Sequence, residues 1–309
     1  MDVIFPIAVT EDTLTYSNVV ENDYAPWASG TAYVRGDYAI STTTHTIYRA
    51  LVDSTGEDPD IESVNFSDPL IQDPDTRYWQ IMGATNRWKL FDSKPSQPCV
   101  QANSVEVELR PGVFISGIAG FELSAESVRV QVYADDILIY DRTAQLRDES
   151  GVVGWLTYFT APYLPATEFV FTDLPVLGTP RIVVTFEGTE CHVGQLVIGQ
   201  LIRIGETSQE GTGFSGLDFS YVQNDDFGNL TTVNRPAVKL SEYTIAAQTQ
   251  TLQATYEKLR SLRGGRPAVW VGDQQTAIGA VNYGFMRNYD VVYQTRDLSE
   301  LSIEVQGII

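Results

Sequence analysis

The sequence predicts a mainly β, multidomain protein: a small aromatic β-module over 20–92, a central β-sandwich over 95–205, and a C-terminal α+β domain over 206–309 with one principal helix. Three observations lead there. Apolar and polar residues alternate in many short runs, the period-2 signature of half-buried strands. A single stretch near the C-terminal end repeats apolar residues at helical spacing. The 309 residues also exceed the roughly 100–200 expected of one domain.

Residues 22–92 hold Trp27, Trp79 and Trp88 together with the acidic, proline-containing turns Glu57-Asp58-Pro59-Asp60 and Asp73-Pro74-Asp75. Long apolar runs are scarce there, so a small unit with an aromatic core is expected. Next, Val105 to Leu109 alternates apolar and charged residues, and Val128 to Tyr133 repeats the pattern. Asp135-Asp136 follows as a turn before Ile137 to Tyr140, which predicts a hairpin. Arg181 to Glu187 is β-branched and nearly continuous, suiting a strand buried on both faces. Val193 to Ile204 supplies one or two further strands, split at Gly199. Together these make a sandwich of about 100 residues, a usual size for that architecture.

Gly205 to Asn234 is rich in Gly, Ser, Thr, Asn and Asp and reads as loop, with a strand at Leu217 to Val222. Apolar residues then recur at Ile245, Leu252, Tyr256, Leu259 and Leu262, one face of a helix. Gly264-Gly265 and Pro267 stop that helix, and Lys258, Arg260 and Arg263 suit the negative end of its dipole. Strands follow at Ala268 to Val271, Ala280 to Met286, Tyr289 to Tyr293 and Leu301 to Val305. So regular a final strand is expected to be paired, within the chain or with a neighbouring subunit.

Charge narrows the function. Lys and Arg total 20 against 40 Asp and Glu, a net charge of −20. That balance opposes binding of nucleic acid or anionic lipid, which needs clustered cations. No apolar run approaches the ~20 residues of a membrane span. Met1 to Pro6 has no basic region and does not read as a secretory signal, so a soluble chain made in a cytoplasm is expected. Cys99 and Cys191 are too few for a disulfide framework, and whether they pair stays open.

Catalytic and cofactor patterns are weak. Gly211-Thr212-Gly213-Phe214-Ser215-Gly216 spells a nucleotide-binding phrase, but polar residues precede it and a strand-like run follows it, so a loop is expected. Cys191 and His192 are neighbours that a strand would point to opposite faces. Asp53, Glu57, Asp58 and Asp60 crowd one loop without the glycine and terminal glutamate of an EF-hand, and read as solvated turn carboxylates. No Gly-x-Ser-x-Gly elbow exists, and neither His45 nor His192 sits in a recognisable catalytic setting. Asn65-Phe66-Ser67 and Asn229-Leu230-Thr231 spell glycosylation acceptors, which carry little without a secretory signal. No enzyme activity, cofactor or metal is expected.

Trp27 to Ile40, with Tyr33 and Gly36-Asp37 inside it, continues through His45 to Ala50 and later Trp79. This stretch resembles the small carbohydrate-binding modules of the chitin-binding type: tryptophan, tyrosine, Gly-Asp, an apolar-Tyr-x-Ala strand and a closing tryptophan. The resemblance implies sugar contact through Trp27, Tyr33, Tyr48 or Trp79, because pyranose C–H groups pack on aromatic faces. The same rings can instead form the core of so small a unit, which needs aromatic bulk, and the weight falls on core use. Asp58 to Tyr78 is longer than the pattern asks.

A second resemblance is spread over Asn86 to Asp92, Phe219-Ser220-Tyr221, Asp226 to Thr231, Asn234-Arg235-Pro236, Gly264 to Gly272, Tyr283 to Met286 and Leu301 to Gly307. This ordering is similar to virion structural proteins of tailed bacteriophages, of the tail-tip or baseplate type. It implies a ring homo-oligomer in the virion tail, in contact with other tail proteins and, through the outer module, with host surface glycans. The competing expectations are a free-standing carbohydrate-binding protein and, behind it, a glycan-degrading enzyme.

Overall fold

The structure, a computed structural model, describes residues 1–64, 77–147, 154–160, 164–224, 230–272 and 281–308. The turn at Asp73-Pro74-Asp75, the triplet at Asn65, Asn229 and Ala280 lie outside the described residues. In chain order, β1 (Asp2–Pro6) and β2 (Leu14–Ser17) precede a module made of β3 (Ala32–Tyr33), β4 (Tyr38–Ser41), β5 (Thr46–Ala50), β6 (Ser54–Thr55), β7 (Ser63–Val64) and β8 (Trp79–Ala84). Then come β9 (Cys99–Leu109), β10 (Gly117–Ser124), β11 (Ser127–Ala134), β12 (Ile137–Gln145), the short helix α1 (Trp155–Thr160), β13 (Glu168–Phe171) and β14 (Arg181–Arg203). The rest is β15 (Glu206–Asp218), β16 (Tyr221–Asn224), β17 (Leu230–Val233), β18 (Ala237–Gln248), α2 (Leu252–Ser261), β19 (Ala268–Val271), β20 (Val281–Tyr293) and β21 (Leu298–Gly307). The fold is mainly β and multidomain, with α2 its principal helix. No helix of the described residues is long and apolar enough to cross a membrane.

One thirteen-stranded sheet runs through both body segments in the order β12-β11-β14-β1-β19-β20-β21-β18-β15. Strands from both sides of the expected boundary at 205/206 therefore belong to one sheet. The N-terminal strand joins the two parts: β1 is antiparallel to β14 on one side, with Asp2 opposite Arg203, and to β19 on the other, with Ile4 opposite Val269. Ile4, Ala119, Phe121, Val197, Val269, Val271 and Tyr283 form a core shared across that junction. Phe121 stacks on Tyr283 there, with centroids 5.2 Å apart.

On one side of β1, strands β9 to β14 enclose a core around Val107, Val130, Phe169, Val184 and Phe186. On the other side α2 covers the sheet, with Leu259 and Leu262 packed among Tyr243, Ile245, Trp270 and Ile303. The β11–β12 hairpin forms as its sequence dictates: Asp135 and Asp136 both take left-handed φ, 47° and 67°, as a two-residue turn between twisted strands requires.

Four local expectations are corrected. β14 is a single strand of 23 residues, not interrupted at Gly199. Phe5 approaches so closely that a Cβ at Gly199 would overlap the Phe5 carbonyl oxygen, so glycine here allows tight pairing instead of breaking the strand. The first part of β14 alternates, with Ile182, Val184 and Phe186 buried and the residues between them half-buried, so only one face enters the core. Finally, Gly205 to Asn234 is largely strand, and Ile245 belongs to β18, with α2 starting at Leu252. Ile245 still faces the α2 side chains, which is why it shared their spacing.

Gly199→Ala is expected to cost about 3 kcal/mol, by the strain of inserting a methyl into packed backbone. Gly213→Ala, with no heavy atom within 4 Å of the added carbon, should stay within about 0.5 kcal/mol. Urea midpoints of the two variants check the contrast.

Candidate functional site

The four aromatic residues expected to meet sugar do come together, as module core. Trp79 is fully buried, and Tyr48 and Tyr33 are nearly so. Tyr33 meets Trp79 edge-on at 5.0 Å, and the Trp79 indole donates to the Glu57 carbonyl at 2.9 Å. Tyr48 donates to Asp60 Oδ1 at 2.9 Å, and burial raises its pKa. Ring faces of these three residues are covered by their neighbours. Trp27 is half-buried against the same cluster.

Strand alternation explains this split. Ala39 and Tyr48 are register partners on the inner face, and Tyr38 and Arg49 are partners on the outer one. Tyr24 stacks on Tyr38 at 4.7 Å and 14°, with the Arg49 guanidinium 5.9 Å from the Tyr38 centroid. The outward aromatic surface of the module is thus Tyr24–Tyr38. Period-2 reading of β4 and β5 contained that signal.

The acidic loop has a structural use. Asp60 accepts from Ser41 Oγ at 2.7 Å and Thr44 Oγ1 at 2.8 Å, and Asp53 accepts from the Arg35 amide at 2.8 Å. These carboxylates tie loops to strands. Among the described residues, no group of three or more His, Cys, Asp or Glu is placed to hold a metal ion.

A cleft of about 410 Å³ separates module from body, lined by Glu11, Thr44, His45, Trp88, Asp92 and Lys94 among others. His45 reaches Glu21 Oε1 through Nδ1 and Glu11 Oε1 through Nε2, each at 2.8 Å, and stacks on Trp88 at 4.4 Å. An imidazolium can donate to both carboxylates at once; the neutral ring donates to one. Asn86 closes the same hinge like a strand residue: its Nδ2 donates to the Val100 carbonyl at 2.8 Å, and its Oδ1 accepts from the Val100 amide at 2.9 Å. His45 is therefore a fastening between module and body. Cys99 and Cys191 are both free and buried, and burial pushes the Cys99 thiol up to about 12, which leaves it unreactive.

Exposed apolar surface lies at both ends of the sheet. At one end β12 pairs, among the described residues, only with β11 and exposes Ile137, Leu138 and Ile139. After it comes α1, where Trp155 is 81% exposed and Leu156, Tyr158 and Phe159 are also exposed. Gly151 to Thr167 contains no charged residue, a signal the sequence offered and strand reading passed over. At the other end β15 pairs, among the described residues, only with β18, and the chain runs on into the separate two-stranded ribbon β16–β17. All eight strand residues of that ribbon are exposed, including Tyr221, Val222, Leu230 and Val233, with Leu230 at 67%. Nothing among the described residues covers it. No family model, no curated protein and no solved structure matches the chain.

Asp92 beside the cleft gives a pH test. Its Oδ1 accepts from the Lys94 amide at 2.9 Å, while its buried Oδ2 has no partner among the described residues. Burial raises its pKa from 3.8 to about 6. Between these values the unfolded chain releases a proton that the folded chain keeps, so this group's contribution to stability falls as pH rises through 4 to 6 and is flat above. Asp92→Asn keeps the Oδ1 acceptor without the charge. It is expected to stabilise the fold by about 1–2 kcal/mol at pH 7–8, discounted for partial solvation, and by little at pH 4. Thermal melts at the two pH values check the sign.

Proposed function

We propose that this chain is a structural subunit of a bacteriophage tail tip or baseplate, assembling into a ring with copies of itself. The observation that carries the assembly role is the β16–β17 ribbon. An isolated two-stranded ribbon is at best marginally stable in water, and this one exposes apolar side chains on strands that nothing among the described residues covers. Edge strands at the ends of the sheet, open among the described residues, offer backbone donors and acceptors that a neighbour can satisfy. An end of the sheet meeting a different surface of the next copy is a head-to-tail contact, which closes into a ring where its rotation allows. The virion setting rests on the phrases from Asn86 to Gly307 that resemble tail-tip and baseplate proteins. A net charge of −20 keeps unassembled subunits soluble and apart until matching surfaces meet.

A second reading, glycan binding by the module, is favoured by the stacked Tyr24–Tyr38 pair beneath Arg49. The exposed Tyr24 ring, stacked on half-buried Tyr38 next to a guanidinium, suits a sugar with an acidic substituent. Under this reading, loss of glycan-array signal follows Tyr38→Ala.

Light scattering of the full chain at micromolar concentration should show a ring-sized oligomer, and peptide mass spectrometry should find the chain in purified virions. Replacing Tyr221, Val222, Leu230 and Val233 together by serine is expected to leave the circular dichroism spectrum unchanged and to reduce the oligomer to monomer. A wild-type monomer at these concentrations, absent from virions, would remove the reading.

A further inference from the structure

The open edge strand β15 is acidic. Glu206, Glu210 and Asp218 are all exposed on it, and no Lys or Arg occurs between Arg203 and Arg235. At the register shift between Ser208 and Gly213, this edge borders a groove of about 440 Å³ lined by Glu210, Glu300, Gln294, Thr244 and Ser299. Glu300 accepts from the Gln294 amide, and its carboxylate shares the groove with that of Glu210.

The opposite charge sits elsewhere on the same chain. Lys258, Arg260, Arg263 and Arg266, exposed, lie at and just beyond the C-terminal end of α2. Four of the chain's 20 basic residues thus fall within nine positions of a protein with net charge −20. Arg260 has Glu257 at 3.9 Å and Arg263 reaches the Tyr289 hydroxyl at 3.4 Å, while among the described residues Lys258 and Arg266 have no ion pair. Acidic edge and basic end cannot meet within one chain: β18, β21 and β20 lie between β15 and β19, the strand that follows the basic end, a lateral separation of roughly 19 Å at ordinary strand spacing.

We propose that the β15 edge and its groove receive the basic C-terminal end of α2 from the next copy of this chain, and that this contact sets the head-to-tail sense of the ring. The inference rests on the assembly reading above and specifies its interface. Two acidic edges repel, so an isologous pairing of β15 with β15 is disfavoured, while a basic surface is admitted. The groove beside Glu210 gives a long, cationic Lys or Arg side chain two carboxylates to meet. A donor surface and an acceptor surface at separate places on one chain suit a head-to-tail contact, which propagates and closes into a ring where its rotation allows.

Charge exchange tests this on the full-length protein. Lys258→Glu, Arg260→Glu, Arg263→Glu and Arg266→Glu together make a variant of reversed helix end; Glu206→Lys, Glu210→Lys and Asp218→Lys together make one of reversed edge. Each variant alone is expected to associate at least about tenfold more weakly than wild type by sedimentation velocity, with an unchanged circular dichroism spectrum. Mixed in equal amounts, the two should recover association, because each contact between unlike variants joins opposite charges. The chain carrying both sets of substitutions should assemble by itself into the wild-type oligomer. Wild-type association should also weaken between 0.05 and 0.5 M NaCl, on the order of the change that screening brings to exposed charges. Single-surface variants that assemble like wild type would overturn the interface while leaving ring assembly in place. Variants that fail alone and are not rescued by mixing would overturn the pairing as well. A wild-type chain that never associates would overturn the assembly reading itself.

Discussion

Everything else in this molecule depends on the pairing of β1 between β14 and β19. Five residues, Asp2 to Pro6, satisfy backbone groups on both sides and place Ile4 in a core shared by both halves of the body. Without them β14 and β19 would each present an open edge, and the β9–β14 layer would be joined to the α2 layer chiefly by covalent connection. With them a single sheet passes from β12 to β15, so the β15 edge and the layer that α2 covers belong to one continuous sheet. A constant placement of those two surfaces is what head-to-tail assembly of fixed curvature needs.

The module is attached differently. Leu90 and Phe91 enter the β9–β14 core, and polar fastenings do the rest: His45 between Glu11 and Glu21, Asn86 on Val100, and the Arg87 guanidinium donating to the Val19 carbonyl at 2.8 Å. The module's own core holds the buried residues Tyr33, Ala39, Tyr48, Ala50 and Trp79. So small a core uses its aromatic rings to exclude water, and the faces left for a ligand are those on the outer side of β4 and β5. Core demand and sugar contact compete for the same residue types, and position along the strand decides between them.

What the sequence disclosed was the locally determined part. Val105 to Leu109, Val128 to Tyr133 and Leu301 to Val305 alternate because one face meets a core, and each forms where its pattern places it; the Asp135-Asp136 turn forms through its own left-handed residues. β15 was illegible for the opposite reason: Glu206 to Asp218 is mostly small and polar, faces solvent, and takes its conformation from hydrogen bonds to β18. Gly199 misled because a strand breaker and a close-approach glycine look alike until Phe5 is seen against it. Of the expected site, Trp27, Tyr33, Tyr48 and Trp79 were correctly grouped in one small unit, while which rings face outward depended on register. The exposed ribbon lay hidden because lack of burial leaves no periodic trace, while α1 is marked in the sequence by the uncharged run Gly151 to Thr167 and not by periodicity.

Amide hydrogen exchange, followed on the full chain at high and at very low protein concentration, reads the unsatisfied edges directly. On association, the amides of β15, β16 and β17 should slow strongly while those of β14 and β19 stay equally protected under both conditions. Exchange in β15–β17 that is fast and independent of concentration would contradict an assembly role for this end of the sheet.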